Sequence, residues 1–227
     1  MSIRFSKSRG ASRSIKIKKI LDEYFQLNDE YINNFGEYDD AIFGYTEMAN
    51  VAAFSTAAWR QKFVSMVEYQ DSKYGGKNLD KNKKSKYKNG RVDLYITNRT
   101  EEYICEAKQC FTRGGNIKTE KIYKMIRSAY EDVRRSTKCG DDENLDGYAL
   151  IFLPHLSSKN LSMDWNDIIQ KSVKSLYDDG VPATEETEKI IIDGYGYYFP
   201  SKPISGWTKS GDRNLLGVSV LFVRVKN

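Results

Sequence analysis

Apolar residues recur with two periods along this chain, and the switches between those periods mark its elements. From Ser14 to Leu27, Ile17, Ile20/Leu21 and Tyr24/Phe25 fall three to four apart, the spacing of one helical face, with a basic face opposite. The polar, aromatic stretch from Asn28 to Tyr45 has no such period and reads as irregular. Thr46 then opens an Ala-rich helical segment reaching Gln61, as an N-cap whose hydroxyl accepts from the first turn. Phe63 to Gln70 alternates and predicts a strand. Two runs rich in β-formers follow, VDLYI from Val92 to Ile96 and YICEAK from Tyr103 to Lys108. The polar TNRTEE between them gives a hairpin.

Beyond a glycine turn in QCFTRGGN, Lys118–Thr137 places Ile122, Met125/Ile126, Ala129 and Val133 on one stripe of an amphipathic helix. Tyr148–Leu153 (YALIFL) is a continuous apolar run, typical of a strand buried on both faces. A further helix from Asp164 to Asp179 ends at Gly180 in the C′ position. The runs KIIIDGYGYYF and LLGVSVLFVRV can extend the sheet. The expected fold class is α/β, a central mixed β-sheet flanked by helices. With 227 residues and no Pro/Ser/Gly linker, low-complexity tract or internal repeat, one domain over 1–227 is the economical organisation.

Charge changes the picture more than composition does. The formal net charge is only +5, but residues 1–19 carry seven Lys/Arg and no acid, and residues 77–91 carry six Lys and one Arg against one Asp. The acids gather instead in 141–146 and 178–188. Separated blocks create local fields larger than the net charge, and a polyanion partner with salt-dependent binding follows. Lys81, Lys83, Lys84, Lys86, Lys88 and Arg91 lead directly into the first hairpin strand, and Lys121 and Lys124 line the polar face of the 118–137 helix. All are candidate nucleic-acid contacts. No apolar run approaches the roughly 18–20 residues of a membrane helix. The N-terminus lacks a secretory signal's apolar segment and reads as a nucleic-acid-binding arm, with an organellar presequence as the alternative. Three cysteines without a C-x-x-C pair, and a single histidine, leave a structural zinc site without ligands. Free thiols fit a reducing cytoplasm. His155 reads as structural.

The hairpin carries the candidate chemistry. Asp93 lies on its first strand, and Glu106 and Lys108, two apart and so on one face, lie on its second. Two carboxylates and an ammonium then converge on a sheet surface. Mg²⁺ favours such oxygen ligands, and a lysine beside them can orient or help deprotonate a water for phosphodiester hydrolysis.

Asp93 with Glu106-Ala107-Lys108 resembles the PD-(D/E)XK nuclease superfamily, with Val92 where the motif's proline stands. The resemblance covers Glu47 to Leu156 and implies a restriction-endonuclease-like core of helix, three strands, helix and strand. The core spans about 46–156, with a basic helical extension in 1–45 and added helix and strands in 157–227. By that resemblance Asp93, Glu106 and the backbone carbonyl of Ala107 hold Mg²⁺, for which Mn²⁺ can substitute. Lys108 acts on the attacking water, and a helical Glu completes the site. Glu47 is the candidate for that role, and Glu68, on the 63–70 strand beside Val64 and Met66, is the alternative. The function implied is a metal-dependent nuclease acting on DNA, as an endonuclease of restriction, phage or mobile-element, or repair type. A non-catalytic nucleic-acid-binding protein on a degenerate nuclease fold is the second reading. A basic interaction module whose acids are only surface pairs is the third. Restriction enzymes commonly dimerise to cut both strands, so a homodimer is compatible with the resemblance. Tyr95 and Tyr103 flank the motif, where tyrosines can stack on unpaired bases.

Overall fold

A computed structural model describes residues 14–35, 40–74, 87–113, 118–137, 145–158, 165–185, 188–205 and 213–225. Among the described residues four α-helices, α1 (Ser14–Phe35), α2 (Glu47–Arg60), α3 (Thr119–Thr137) and α4 (Trp165–Asp179), flank a seven-stranded mixed sheet. Its strands are β1 (Val64–Tyr74), β2 (Tyr87–Thr97), β3 (Glu102–Gln109), β4 (Thr112–Arg113), β5 (Leu145–Ser158), β6 (Gly194–Tyr198) and β7 (Arg213–Val225). Along the sheet the order is β1-β2-β3-β5-β7-β6, and β4 continues the line of β3 beside β5. Among these strands β5 runs parallel to both β3 and β4, and the remaining neighbours are antiparallel. The parallel step needs a crossover, which α3 supplies. The order α2, β1, β2, β3, α3, β5 is the order read from periodicity. Among the described residues no helix is long and apolar enough to cross a membrane.

The sheet separates two apolar layers. On one face Leu94, Ile96, Tyr103, Cys105, Ala107, Leu150 and Phe152 pack against α1 and α2. On the other, Ala149, Ile151, Leu153, Leu221 and Val223 pack against α3 and α4. β5 contributes to both, which is why its sequence is apolar without alternation. The α3 stripe is buried at Ile122, Ile126, Ala129 and Val133. Gly180, at φ +67, closes α4 in the left-handed conformation open to glycine.

Three expectations from the sequence change. Residues 28–35, read as irregular, continue α1. Their polar side chains find partners that periodicity does not report. Asn28 Nδ2 donates to the Tyr24 carbonyl (2.7 Å), Asn33 to Asp29 (3.0 Å), and Arg60 donates to Glu30 (2.8 Å). β2 begins at Tyr87, inside the segment read as a lysine loop, because Tyr74↔Tyr87 to Val64↔Thr97 pair as one long hairpin with β1. In KIIIDGYGYYF only Gly194–Tyr198 is strand, while Ile190 makes an isolated bridge to Val181.

Two non-glycine residues adopt positive φ, Lys62 (66°) and Glu68 (52°). Lys62 follows α2 in a Schellman turn: Phe63 N–H donates to the Ala58 carbonyl (3.0 Å) and Lys62 N–H to the Trp59 carbonyl (2.9 Å). Glu68 sits mid-strand, where the left-handed conformation costs about 1–2 kcal/mol.

Candidate functional site

β2 and β3 pair only from Thr97↔Glu102 to Leu94↔Cys105. One step further in the same register Asp93 stands opposite Glu106, where the strands begin to part. Alternation with buried Val92, Leu94, Cys105 and Ala107 turns both acids to the face of α3. Instead of a β2 carbonyl, the Ala107 N–H finds Asp93 Oδ2 at 2.7 Å. In an extended strand a residue's N–H and C=O point to the same side, so the Ala107 carbonyl faces the same gap. Glu106 is 3% exposed, while Asp93 and Lys108 are half-buried. β5 holds the other edge of the motif, with Glu106↔Ala149 and Lys108↔Ile151 in parallel register.

Glu47 joins this group from the first turn of α2. Thr46 caps the helix, its hydroxyl accepting from Ala49 N–H at 3.3 Å. The Glu47 carboxyl accepts from the backbone N–H of Gln109 and senses both Lys108 and Asp93. Partial burial raises its pKa above the ordinary carboxylate value and the Asp93 charge adds to the rise. Lys108 and the Gln109 N–H pull the other way. Glu68 takes a different course. It lies across from Asp93 in register, but its left-handed backbone redirects the side chain. Its carboxylate meets Arg91 at 3.5 Å, both groups exposed. The structure therefore brings Glu47 near Lys108 and Asp93, sets Asp93 on the Ala107 N–H with Glu106 on the strand face of Lys108, and leaves Glu68 at the rim.

Two residues without an expected role hold the α2 terminus in place. The Gln109 side chain, on the face opposite Lys108, donates through Nε2 to the Tyr45 carbonyl (2.7 Å) and accepts from Asn50 Nδ2 (2.9 Å). Asn50 is fully buried, accepts from the Tyr24 hydroxyl, and donates also to the Thr46 carbonyl at 3.2 Å. An amide on the buried side of an Ala-rich helix was the available sequence signal for Asn50; the position after the E-x-K lysine was the signal for Gln109.

Further along β3, a cleft of ≈ 600 Å³ is lined by Gln109, Phe111, Arg113, Lys118, Lys121 and Ile122 among others. Arg113, Lys118 and Lys121 are exposed, as is Lys124 on the same helix. Lys81, Lys83, Lys84 and Lys86 lie outside the described residues, and Lys88 falls on β2. Tyr103 is buried against Phe63 and Tyr148, which fits it for the core and not for a ligand. His155 is wholly buried between the Thr112 and Ser219 hydroxyls, each at 2.7 Å. Burial holds its pKa at about 3, so the ring is neutral.

Comparison with protein-family models, with curated proteins and with solved structures finds no match. The chemistry therefore rests on this chain's own geometry. Three carboxylates and one ammonium leave the group two charges short of neutrality when all are ionised. That imbalance, with oxygen donors from Asp93, Glu106 and the Ala107 carbonyl, suits a hard cation that keeps several waters. Among the described residues no three His, Cys, Asp or Glu side chains converge as a ready-made metal centre. The fit is to two carboxylates and a backbone oxygen, with Glu47 at the side of Lys108.

Proposed function

We propose that this chain is a Mg²⁺-dependent nuclease with a PD-(D/E)XK-type site on a restriction-endonuclease-like core, acting on DNA. One observation carries the reading: just past the Leu94↔Cys105 pair, Asp93 holds the Ala107 N–H between Glu106 and Lys108, and Glu47 lies near Lys108 and Asp93. The element order from α2 to β5 supports it, as does the basic cleft of Arg113, Lys118 and Lys121 beyond Lys108.

Asp93, Glu106 and the Ala107 carbonyl are the residues to hold the metal. A Mg²⁺ ion held by these residues would supply Lewis-acid polarisation and a lowered pKa for a nearby water. Lys108 orients that water toward phosphorus. Glu47, near Lys108 and Asp93 and held by the Gln109 N–H, would support that water. Attack by water oxygen forms the new P–O bond as the bond to the leaving 3′ oxygen breaks. The proton the water gives up passes to solvent, the 3′ oxygen takes one up from solvent, and the products are a 5′-phosphate and a 3′-hydroxyl. Arg113, Lys118 and Lys121 bind flanking phosphates, a salt-sensitive contribution.

The test is cleavage of supercoiled plasmid and of a single-stranded oligonucleotide by wild type and Lys108→Ala in Mg²⁺, Mn²⁺ and EDTA. Metal-dependent cleavage lost in the variant is expected. Salt-sensitive retention of DNA without cleavage would replace this reading with a non-catalytic binding protein. Neither cleavage nor retention would leave the acids as structural pairs.

A further inference from the structure

The face of β1 and β2 beside the site carries an aromatic pair that hydrolysis does not use. On β2, Val92, Leu94 and Ile96 are buried while Arg91, Asp93 and Tyr95 alternate with them on the other face. On β1, Ser65 is buried and Val64 and Met66 are exposed, so alternation assigns Tyr69 to the face of Ser65 and Val67. The left-handed backbone at Glu68 interrupts that alternation. Tyr69 comes instead against Tyr95, ring centroids 5.2 Å apart and planes 27° from parallel, and Tyr69 stays 38% exposed. Strained backbone that brings a side chain to an open surface is a feature of binding sites.

The pair stands in line with the site. Tyr95 is opposite Ile104 on β3, Asp93 comes next opposite Glu106, then Lys108, then the basic cleft at Phe111, Arg113, Lys118 and Lys121. Arg91 lies on the same face as Asp93 and Tyr95, with 72% of its side chain exposed and one exposed pairing to Glu68. A ligand matching this row carries negative charge where it meets Lys108, Arg113, Lys118 and Lys121, passes Asp93 and Glu106 with a cation between, and offers bare aromatic faces at the tyrosine end. Unpaired nucleic acid does both; a duplex hides its base faces within its own stack.

We propose that Tyr69 and Tyr95 form a stacking platform for unpaired bases, so that the strand entering the site is single-stranded next to the reacting phosphate. The proposal rests on the nuclease reading for the identity of that phosphate. It is tested separately by binding.

A fluorescent oligo(dT) and a hairpin duplex of matched charge are titrated in EDTA, which prevents cleavage. The proteins are wild type, Tyr69→Ala, Tyr95→Ala and the two Tyr→Phe variants, with melting curves as the folding control. Alanine is expected to weaken oligo(dT) binding by on the order of five- to hundredfold. The duplex constant and the salt slope should stay as in wild type, and phenylalanine should restore single-strand binding. Equal weakening of both ligands, or no weakening of either, overturns the platform. Selective loss on oligo(dT) by a chain that does not cleave in Mg²⁺ keeps the platform and removes the nuclease reading. Cleavage by wild type with no selective loss does the reverse. A wild type that binds neither ligand overturns the platform, and overturns the nuclease reading too if it also fails to cleave in Mg²⁺.

Discussion

Replacing Gln109 by Ala separates a positioning role from a merely structural one. The variant removes two hydrogen bonds, Nε2 to the Tyr45 carbonyl at 2.7 Å and Asn50 Nδ2 to Oε1 at 2.9 Å. The first is exposed and water largely replaces it. The second is half-buried, but Asn50 Nδ2 keeps the Thr46 carbonyl at 3.2 Å and the Phe43 carbonyl at 3.4 Å, so no buried donor is orphaned. With a net value near 1 kcal/mol for an ordinary hydrogen bond, the expected loss is about 1 kcal/mol. For a chain of this length that is a fall in Tm of about 2–4 °C. Catalysis should suffer more. The α2 terminus that carries Glu47 loses its side-chain ties to the end of β3 and keeps only the Gln109 N–H to the Glu47 carboxyl, and a displacement of ~1 Å at a reacting centre can cost up to about 10²-fold in rate. Thermal melting and Mg²⁺-dependent cleavage, measured on the same preparation, give the two readouts. A lowered Tm with an unchanged cleavage rate would refute the claim that Gln109 positions the site.

Glu47→Gln should raise Tm at neutral pH. The folded carboxyl titrates above its unfolded value, so its contribution is present below the unfolded pKa and is lost as pH rises through the folded one. Melting from pH 4 to 8 should show a flatter profile in the variant, and a lower Tm at pH 7 would contradict the assignment. His155 has the opposite sign: its folded value near 3 lies below the ordinary 6.5, so its contribution holds above 6.5 and fades as pH falls toward 3. Chemical denaturation at stepped pH should show His155→Gln closing on wild type by about 1.4 kcal/mol per pH unit below 6. Lys62→Gly should stabilise by up to about 1 kcal/mol, since glycine adopts the left-handed C′ conformation at no steric cost. A fall in Tm would show that the Lys62 side chain matters more than its backbone.

Elements with a strong period were legible in the sequence: α3 from its stripe, β5 from its unbroken apolar run, α2 from its Thr46 cap. The second half of α1 was not, because its helix is held by amide and carboxylate partners from neighbouring turns and from Arg60. The same limit applies to the site. Asp93, Glu106 and Lys108 lie close in sequence on one hairpin, and strand alternation alone brings them to one face. Glu47 and Glu68 could not be separated that way. Their difference depends on how α2 docks through Asn50 and Gln109, and on a left-handed turn at Glu68 that no glycine or asparagine announces. Residues 28–35 and Glu68 were missed because hydrophobic periodicity reports neither polar side-chain pairing nor a single left-handed residue.

Glu47 belongs to the layer of α1 and α2, whereas Asp93, Glu106 and Lys108 face the layer of α3. The two apolar layers are otherwise kept apart by the full width of the sheet. Past the last β2–β3 pair they share one cluster of charges. A cation or phosphate held there acts as a clasp between them, so its binding should slow amide exchange in helices on both sides of the sheet together. Two half-cores would then open as one.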